Sequence, residues 1–252
     1  MKTIKMTRYF LEEIARSVAI FYGVILAVMT FLIVLSKMNG LNTSSSGLQF
    51  SSVVFLFVMG LNIFKEGFYF SQANNISRKT LYKGLLLVAP AVSLFMTVVD
   101  YAVYRIFNLF QPSPSTFDVI YGRTGALDVW EDIGNMFLRS WYPPNDLGTI
   151  LSSLLWSFVF YCMLYALGLF ITMMVYRSST LVRTLLGGGA ILAFVVLSTC
   201  APMLPSAVLE AVGRFLSAAF SNAYVASLSF LVIFALLSAG CFLFVRRAVV
   251  KR

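Results

Sequence analysis

One carboxylic acid, Asp100, lies inside a long apolar stretch, with Tyr104 one helical turn later and Arg105 next to it. Acids within a membrane span are costly and often mark ion or proton pathways. At 1.5 Å per residue, Asp100 lies about 23 Å beyond Leu85, near the edge of a hydrocarbon core about 30 Å thick. We therefore interpret Asp100, Tyr104 and Arg105 as an intramembrane polar site whose first role is structural pairing, with an ion or proton relay as the alternative.

Other catalytic or metal-binding chemistry is scarce in the sequence. The chain has no histidine, which removes the commonest metal ligand and general base. Its three cysteines, Cys162, Cys200 and Cys241, lie far apart and lack the CxxC spacing of zinc and redox sites. The triple glycine at 187–189 lacks the Lys-Ser/Thr of a phosphate-binding loop. We expect a chain that is not catalytic alone and that holds no cofactor or metal.

A short polar and basic segment at 70–83, FSQANNISRKTLYK, separates two apolar runs. It combines helix-capping residue types with two fixed positive charges, Arg78 and Lys79, which can pair with acidic groups on a partner. In the alternative interpretation these charges only follow the preference of cytosolic loops for Lys and Arg. The candidate docking residues are Gln72, Asn75, Ile76, Ser77, Arg78, Lys79 and Thr80.

The composition places these residues in a membrane protein. Hydrophobic residues make up 60% of the 252 residues, charged residues 12%, and the mean hydropathy is +0.87, whereas soluble domains are about half apolar and a quarter charged. Several apolar runs reach the length of about 18 residues that spans a bilayer. We predict an all-α polytopic membrane protein with a single domain over 1–252. Its six predicted spans are 17–36, 48–64, 84–106, 147–176, 184–201 and 223–245.

Two further helices are predicted not to span the membrane. In residues 1–16, apolar side chains such as Met6, Phe10 and Ile14 share one side of a helix, which predicts an amphipathic helix at the membrane interface. Residues 206–220 form a segment too short to span, and we interpret it as a re-entrant helix before the sixth span.

The basic residues predict the orientation. Nineteen Lys and Arg face ten Asp and Glu, and most of the basic residues lie near the two termini, in 65–83 and in 177–183. The positive-inside rule places these segments, with both termini, in the cytosol. The excess basic charge is therefore an orientation signal, and we expect no nucleic-acid partner.

The segment between spans two and three resembles the coupling region of permease subunits of bacterial type-2 ATP-binding-cassette exporters. Small Gram-positive members often read NG[VI]SRKT there, and this chain reads Asn75-Ile76-Ser77-Arg78-Lys79-Thr80 after Gln72, with Asn75 at the usual glycine. Tyr176-Arg177 and the C-terminal FVRRA are further matches. The layout of spans and non-spanning helices extends the resemblance over the whole chain.

The resemblance implies a function and partners. It implies a cytosolic coupling helix in 70–83, on which a separate cytosolic ATPase that binds ATP and magnesium would dock. It implies a dimer with a second permease copy or a paralogue, in a bacterial cytoplasmic membrane. The cargo would be hydrophobic or amphipathic, such as a peptide, drug or lipid, and exporters of phenol-soluble-modulin-like peptides are one such group.

Three other classes remain open from the residues alone. A secondary transporter or channel would use midplane charges or broken helices, for which Asp100 is the one candidate. A membrane-embedded enzyme would need clustered His, Asp or Glu, and the absence of histidine argues against it. A non-transporting immunity or scaffold protein would fit the same layout.

Overall fold

The computed structural model describes residues 2–39, 46–110, 113–121, 145–177, 213–214 and 218–246, and within these ranges the chain is helical with no strand. Among these residues, five helices are long and apolar enough to cross a membrane, so the predicted class, an α-helical multi-pass membrane protein, is confirmed at that level. The helices are α1 (Lys2–Asn39), α2 (Ser46–Ala73), α3 (Arg78–Asn108), α4 (Thr116–Tyr121), α5 (Leu147–Arg177) and α6 (Ala223–Arg246).

Two helices, α3 and α5, form the centre of the bundle. Helix α5 packs against α2, α3 and α6, and α3 packs additionally against α1. The buried face of α3 repeats every three or four residues, as expected for one side of a helix, and carries Leu85, Val88, Val92 and Met96. The same face continues into Asp100, so the helical period itself turns this acid toward the protein interior.

Helix α1 is one continuous helix, which corrects the predicted division into an interfacial helix at 1–16 and a span at 17–36. Buried residues recur every four positions from Met6 through Phe10 and Ile14 to Tyr22, so a single stripe crosses the predicted boundary. The Phe10 ring packs at Gly67 of α2, and the Met6 side chain packs at Gly84 of α3. The apolar face of the N-terminal segment is therefore covered by protein, because its period matches that of the span that follows.

The close approach of α2 and α5 depends on two glycines that face each other. A β-carbon at Gly60 would overlap the carbonyl oxygen of Tyr165, and one at Gly168 would overlap the carbonyl oxygen of Phe57. Small residues allow helix backbones in membranes to pack this tightly. The contact fixes α2 against the central helix.

The remaining predicted boundaries shift where polar residues continue a helix. Helix α2 extends to Ala73 instead of ending at 64, and α3 begins at Arg78 instead of 84. The separate coupling helix predicted within 70–83 is therefore wrong in form, because two long helices meet there in a short turn. The predicted span 184–201 lies outside the described residues, as does most of the predicted re-entrant helix 206–220.

Candidate functional site

The connection between α2 and α3 is a short turn at 74–77. The Ile76 amide donates to the Ser71 carbonyl at 2.8 Å, and the Asn75 amide donates to the Gln72 carbonyl at 3.3 Å. These two bonds form a Schellman motif, which requires a left-handed residue just after the helix. Asn75 supplies that conformation with a φ of 51°, because asparagine tolerates it better than most non-glycine residues. Asn75 thus adopts the geometry that glycine would provide.

Ser77 caps the start of α3. Its hydroxyl accepts a hydrogen bond from the Thr80 amide at 3.2 Å, and the two side-chain hydroxyls lie 2.8 Å apart. The preceding residue, Ile76, packs against the central apolar core. The turn is therefore held by caps on both sides and one hydrophobic contact. Asn75 and Ser77 do cap helices, but they cap α2 and α3 instead of a separate helix. Thr80 lies in the first turn of α3, where its amide donates to the Ser77 cap.

The two positive charges of the turn differ in their surroundings. The Arg78 guanidinium donates to the Arg246 carbonyl at 3.1 Å, at the end of α6, where the helix dipole favours a cation. Lys79 is exposed and forms no hydrogen bond or ion pair in the part of the chain that the structure describes. Arg78 therefore joins α3 to α6, whereas Lys79 extends into solvent.

An open groove of about 550 Å³ lies between this turn and the start of α1. The rings of Tyr9 and Phe70 line it and stack in parallel, with centroids 4.2 Å apart. Lys5, Asn75 and Thr80 line the groove as well. The turn thus borders a groove that is lined by two aromatic rings and by basic and polar side chains.

Substitutions at Asn75 test the turn geometry. We expect Asn75→Gly to leave the free energy of unfolding nearly unchanged, whereas Asn75→Ala should lower it by about 1–2 kcal/mol, because a β-carbon without a compensating polar group disfavours the left-handed region. Unfolding of the purified protein in mixed micelles measures both. Equal stability of the glycine and alanine variants would contradict the observed conformation.

Asp100 accepts hydrogen bonds on both carboxylate oxygens from two other helices. Tyr22 of α1 donates to Oδ1 at 2.7 Å, and Tyr161 of α5 donates to Oδ2 at 2.6 Å. Asp100 is 2% exposed and Tyr161 is equally buried. The carboxylate therefore joins α1, α3 and α5 at their buried contact.

The two residues predicted to pair with Asp100 have other partners. The Tyr104 hydroxyl donates to Oδ2 of Asp118 at 2.9 Å. The Arg105 guanidinium donates to Oδ1 of Asn145 at 2.8 Å and lies over the Tyr101 ring, 5.5 Å from its centroid. Through these hydrogen bonds Tyr104 reaches α4, and Arg105 reaches the residues just before α5. Asp100, Tyr104 and Arg105 nevertheless all line one small polar cavity.

Sequence reasoning missed Tyr22, Tyr161 and Asp118. Each tyrosine is one of many aromatics in apolar runs, and nothing local separates a hydroxyl that binds a carboxylate from one at the lipid boundary. Asp118 did carry a local signal, because Ser115 precedes it by three residues as in a capping box. The Ser115 hydroxyl and amide both donate to Asp118 Oδ2, at 2.7 and 3.1 Å.

The contribution of the tyrosine hydroxyls on Asp100 to the free energy of unfolding should be measurable. We expect Tyr161→Phe to lower the free energy of unfolding by about 1–3 kcal/mol, because it removes a donor from a buried carboxylate oxygen. Tyr101→Phe on α3, next to Asp100 in the sequence, is the matched control, since the Tyr101 hydroxyl makes no hydrogen bond among the described residues. Losses of equal size in the two variants would argue that the bond to Asp100 contributes nothing specific.

No protein-family model, curated protein or solved structure gives a significant match to this chain.

Proposed function

We propose that this chain is the transmembrane permease subunit of an ATP-driven exporter in a bacterial cytoplasmic membrane. Both termini and the α2–α3 turn lie in the cytosol. A separate cytosolic ATPase that binds ATP and magnesium docks on the turn, and a second permease copy or a paralogue completes a dimer. The cargo is hydrophobic or amphipathic, such as a peptide, drug or lipid. Segment 184–201 forms a sixth span, and 206–220 forms a re-entrant helix before α6.

The observation that carries the proposal is the doubly capped α2–α3 turn with its charged residues. Its backbone is fixed by the Schellman motif at Asn75 and by the Ser77 cap. Lys79 extends from it into solvent. When a docked partner moves, a rigid turn of this kind can transmit the displacement to α2 and α3 without rearranging its own backbone.

The two helices joined by the turn can transmit such a displacement to the rest of the bundle. Helix α2 is fixed to α5 by the paired glycines Gly60 and Gly168. Helix α3 is joined to α6 through Arg78 and to α1 and α5 through Asp100. Motion at the turn therefore reaches α1, α2, α5 and α6 through direct contacts, as two-state coupling requires.

The test is co-purification followed by reconstitution. The chain is produced in its native cells, captured by an affinity tag and examined for a stoichiometric ATPase partner. In inside-out vesicles, the pair should accumulate an amphipathic peptide or a lipophilic dye only with ATP and magnesium. Stable co-purification with no flux of any cargo would instead indicate a non-transporting scaffold or immunity protein.

A secondary transporter or channel is the second candidate, and the buried Asp100 is the observation that favours it. The two functions differ in their energy source. Liposomes that contain the purified chain without an ATPase decide between them. Flux driven by an ion gradient or a voltage would replace the exporter proposal, whereas flux that strictly requires ATPase and ATP would exclude the alternative.

A further inference from the structure

A small polar cavity lies between α2, α3, α4 and α5, at the end of the bundle away from the α2–α3 turn. Its volume is about 20 Å³, which is room for a single water-sized particle. Both buried acids of this region, Asp100 and Asp118, line it. So do oxygen-bearing side chains from two other helices, Gln49 of α2 and Ser153 and Ser157 of α5.

Both acids accept hydrogen bonds from neutral donors. Asp100 accepts O–H donors at 2.7 and 2.6 Å, and Asp118 accepts the Ser115 hydroxyl at 2.7 Å. The other donors to Asp118 are the Tyr104 hydroxyl and the Ser115 amide. The cavity is therefore bordered by two carboxyl groups whose hydrogen-bond partners carry no charge.

No basic side chain forms an ion pair with either acid in the described ranges. The ion pair found within 4 Å in those ranges joins Arg8 and Glu12 on the surface of α1. Arg105 lines the same cavity, but its guanidinium donates to Asn145 instead. Two carboxylates and one arginine give the cavity an excess of one negative charge. A buried charge without a counter-charge is strongly unfavourable.

One buried hydroxyl also points to a ligand. Thr97 lies one helical turn before Asp100 and lines the cavity. It is 3% exposed, and its hydroxyl oxygen has no hydrogen-bond partner among the residues that the structure describes. Buried polar atoms are almost always satisfied by protein, water or an ion. Carboxylate, hydroxyl and amide oxygens together are the ligand set of a hard cation.

We propose that this cavity binds one sodium ion, held by the carboxylates of Asp100 and Asp118 and by the hydroxyl of Thr97. A single positive charge balances the excess negative charge. Magnesium keeps several of its waters and calcium takes six to eight ligands, and a volume of about 20 Å³ has no room for those waters. The ion would join α3 to α4, and the site does not depend on the exporter function.

Binding is measured on the full chain purified in detergent micelles. We expect saturable ²²Na⁺ binding with one ion per chain. Sodium at a hundred times Kd should raise Tm by about 5–10 °C relative to choline chloride of the same ionic strength. Equal stabilisation by choline, or a response to magnesium or calcium but not to sodium, would overturn the proposal. Stability that follows pH alone would overturn it as well, since it would indicate a protonated Asp100.

Two variants on α3 separate a ligand from a merely buried hydroxyl. Thr97→Val keeps the shape but removes the proposed ligand, and it should weaken sodium binding at least about tenfold, the equivalent of one lost hydrogen bond. Ser93→Ala is the matched control, because the Ser93 hydroxyl is also buried on α3 but does not line the cavity. It should leave the sodium Kd unchanged. An unchanged sodium Kd in Thr97→Val would show that Thr97 is not a ligand, and this result would overturn the proposed site.

Asp100→Asn gives an independent readout. The amide preserves the size of the side chain but removes one negative charge and one of the two oxygens that accept from Tyr22 and Tyr161, so we expect sodium stabilisation to disappear and Tm in choline to fall. If this variant does not fold, Thr97→Val still decides the question, because it leaves both carboxylates in place. A folded Asp100→Asn protein that keeps the full sodium response would refute the assignment.

Discussion

Gly60→Val is expected to lower the free energy of unfolding by about 3 kcal/mol or more. The new side chain would meet the Tyr165 carbonyl and the Leu169 amide, and backbone atoms of a packed helix cannot turn aside as a side chain can. Helices α2 and α5 must therefore separate, which loses the tightest helix crossing of the bundle and overpacks its surroundings. Unfolding in mixed micelles, followed by circular dichroism, measures the loss.

A control and a double variant sharpen this prediction. Gly23 of α1 is exposed and has no atom within 4 Å of an added β-carbon, so Gly23→Ala should be neutral or stabilising by up to about 1 kcal/mol. The sign of the glycine-to-alanine effect should therefore reverse between Gly23 and Gly60. Gly60→Ala combined with Gly168→Ala should cost less than the sum of the two, because either variant already separates the same pair of helices. Strict additivity would show that the two glycines do not share one contact.

Charge reversal at Lys79 is expected to reduce export and transport-coupled ATP hydrolysis at least about tenfold without changing stability. The Lys79 side chain is exposed and unpaired among the described residues, so a glutamate there changes only what a docked ATPase meets. Repulsion between like charges at an interface costs several kcal/mol. Export and ATP hydrolysis in the reconstituted pair, alongside unfolding of the permease alone, give the two readouts.

The neighbouring Arg78→Glu should also reduce export, but with a loss of stability. The variant removes the guanidinium from the Arg246 carbonyl and sets a carboxylate against the negative end of α6. We expect the free energy of unfolding to fall by about 1–2 kcal/mol. Unchanged export in Lys79→Glu would exclude this turn as an electrostatic docking point. This conclusion would hold even if Arg78→Glu does not export, because the loss of export in Arg78→Glu would then follow from its loss of stability.

The sequence determined those features that depend on neighbours along the chain. Apolar runs of span length predicted the helical membrane class, and the described part of the chain contains five such helices. Capping types at Asn75, Ser77 and Thr80 indicated where helices end, because a cap bonds to backbone groups three to five positions away. These interactions are local, so residue type and spacing are sufficient to anticipate them.

The tertiary structure decided how the helices are used. Asp100 is hydrogen-bonded to Tyr22, which lies 78 positions before it, and to Tyr161, which lies 61 positions after it. Arg78 is hydrogen-bonded to the Arg246 carbonyl, 168 positions away. Helical period places such side chains on a buried face, but it does not say which helix covers that face. The sequence therefore identified Asp100 and Arg78 as unusual residues and assigned them the wrong or incomplete partners.

The start of α1 shows the same division within a single helix. Its amphipathic period was readable in the sequence, and residues 2–39 do form a helix. Lipid acyl chains and a protein surface with the small residues Gly67 and Gly84 can both cover an apolar stripe, because burial of apolar area is not directional. Only the packing of α2 and α3 decided that Phe10 and Met6 face protein.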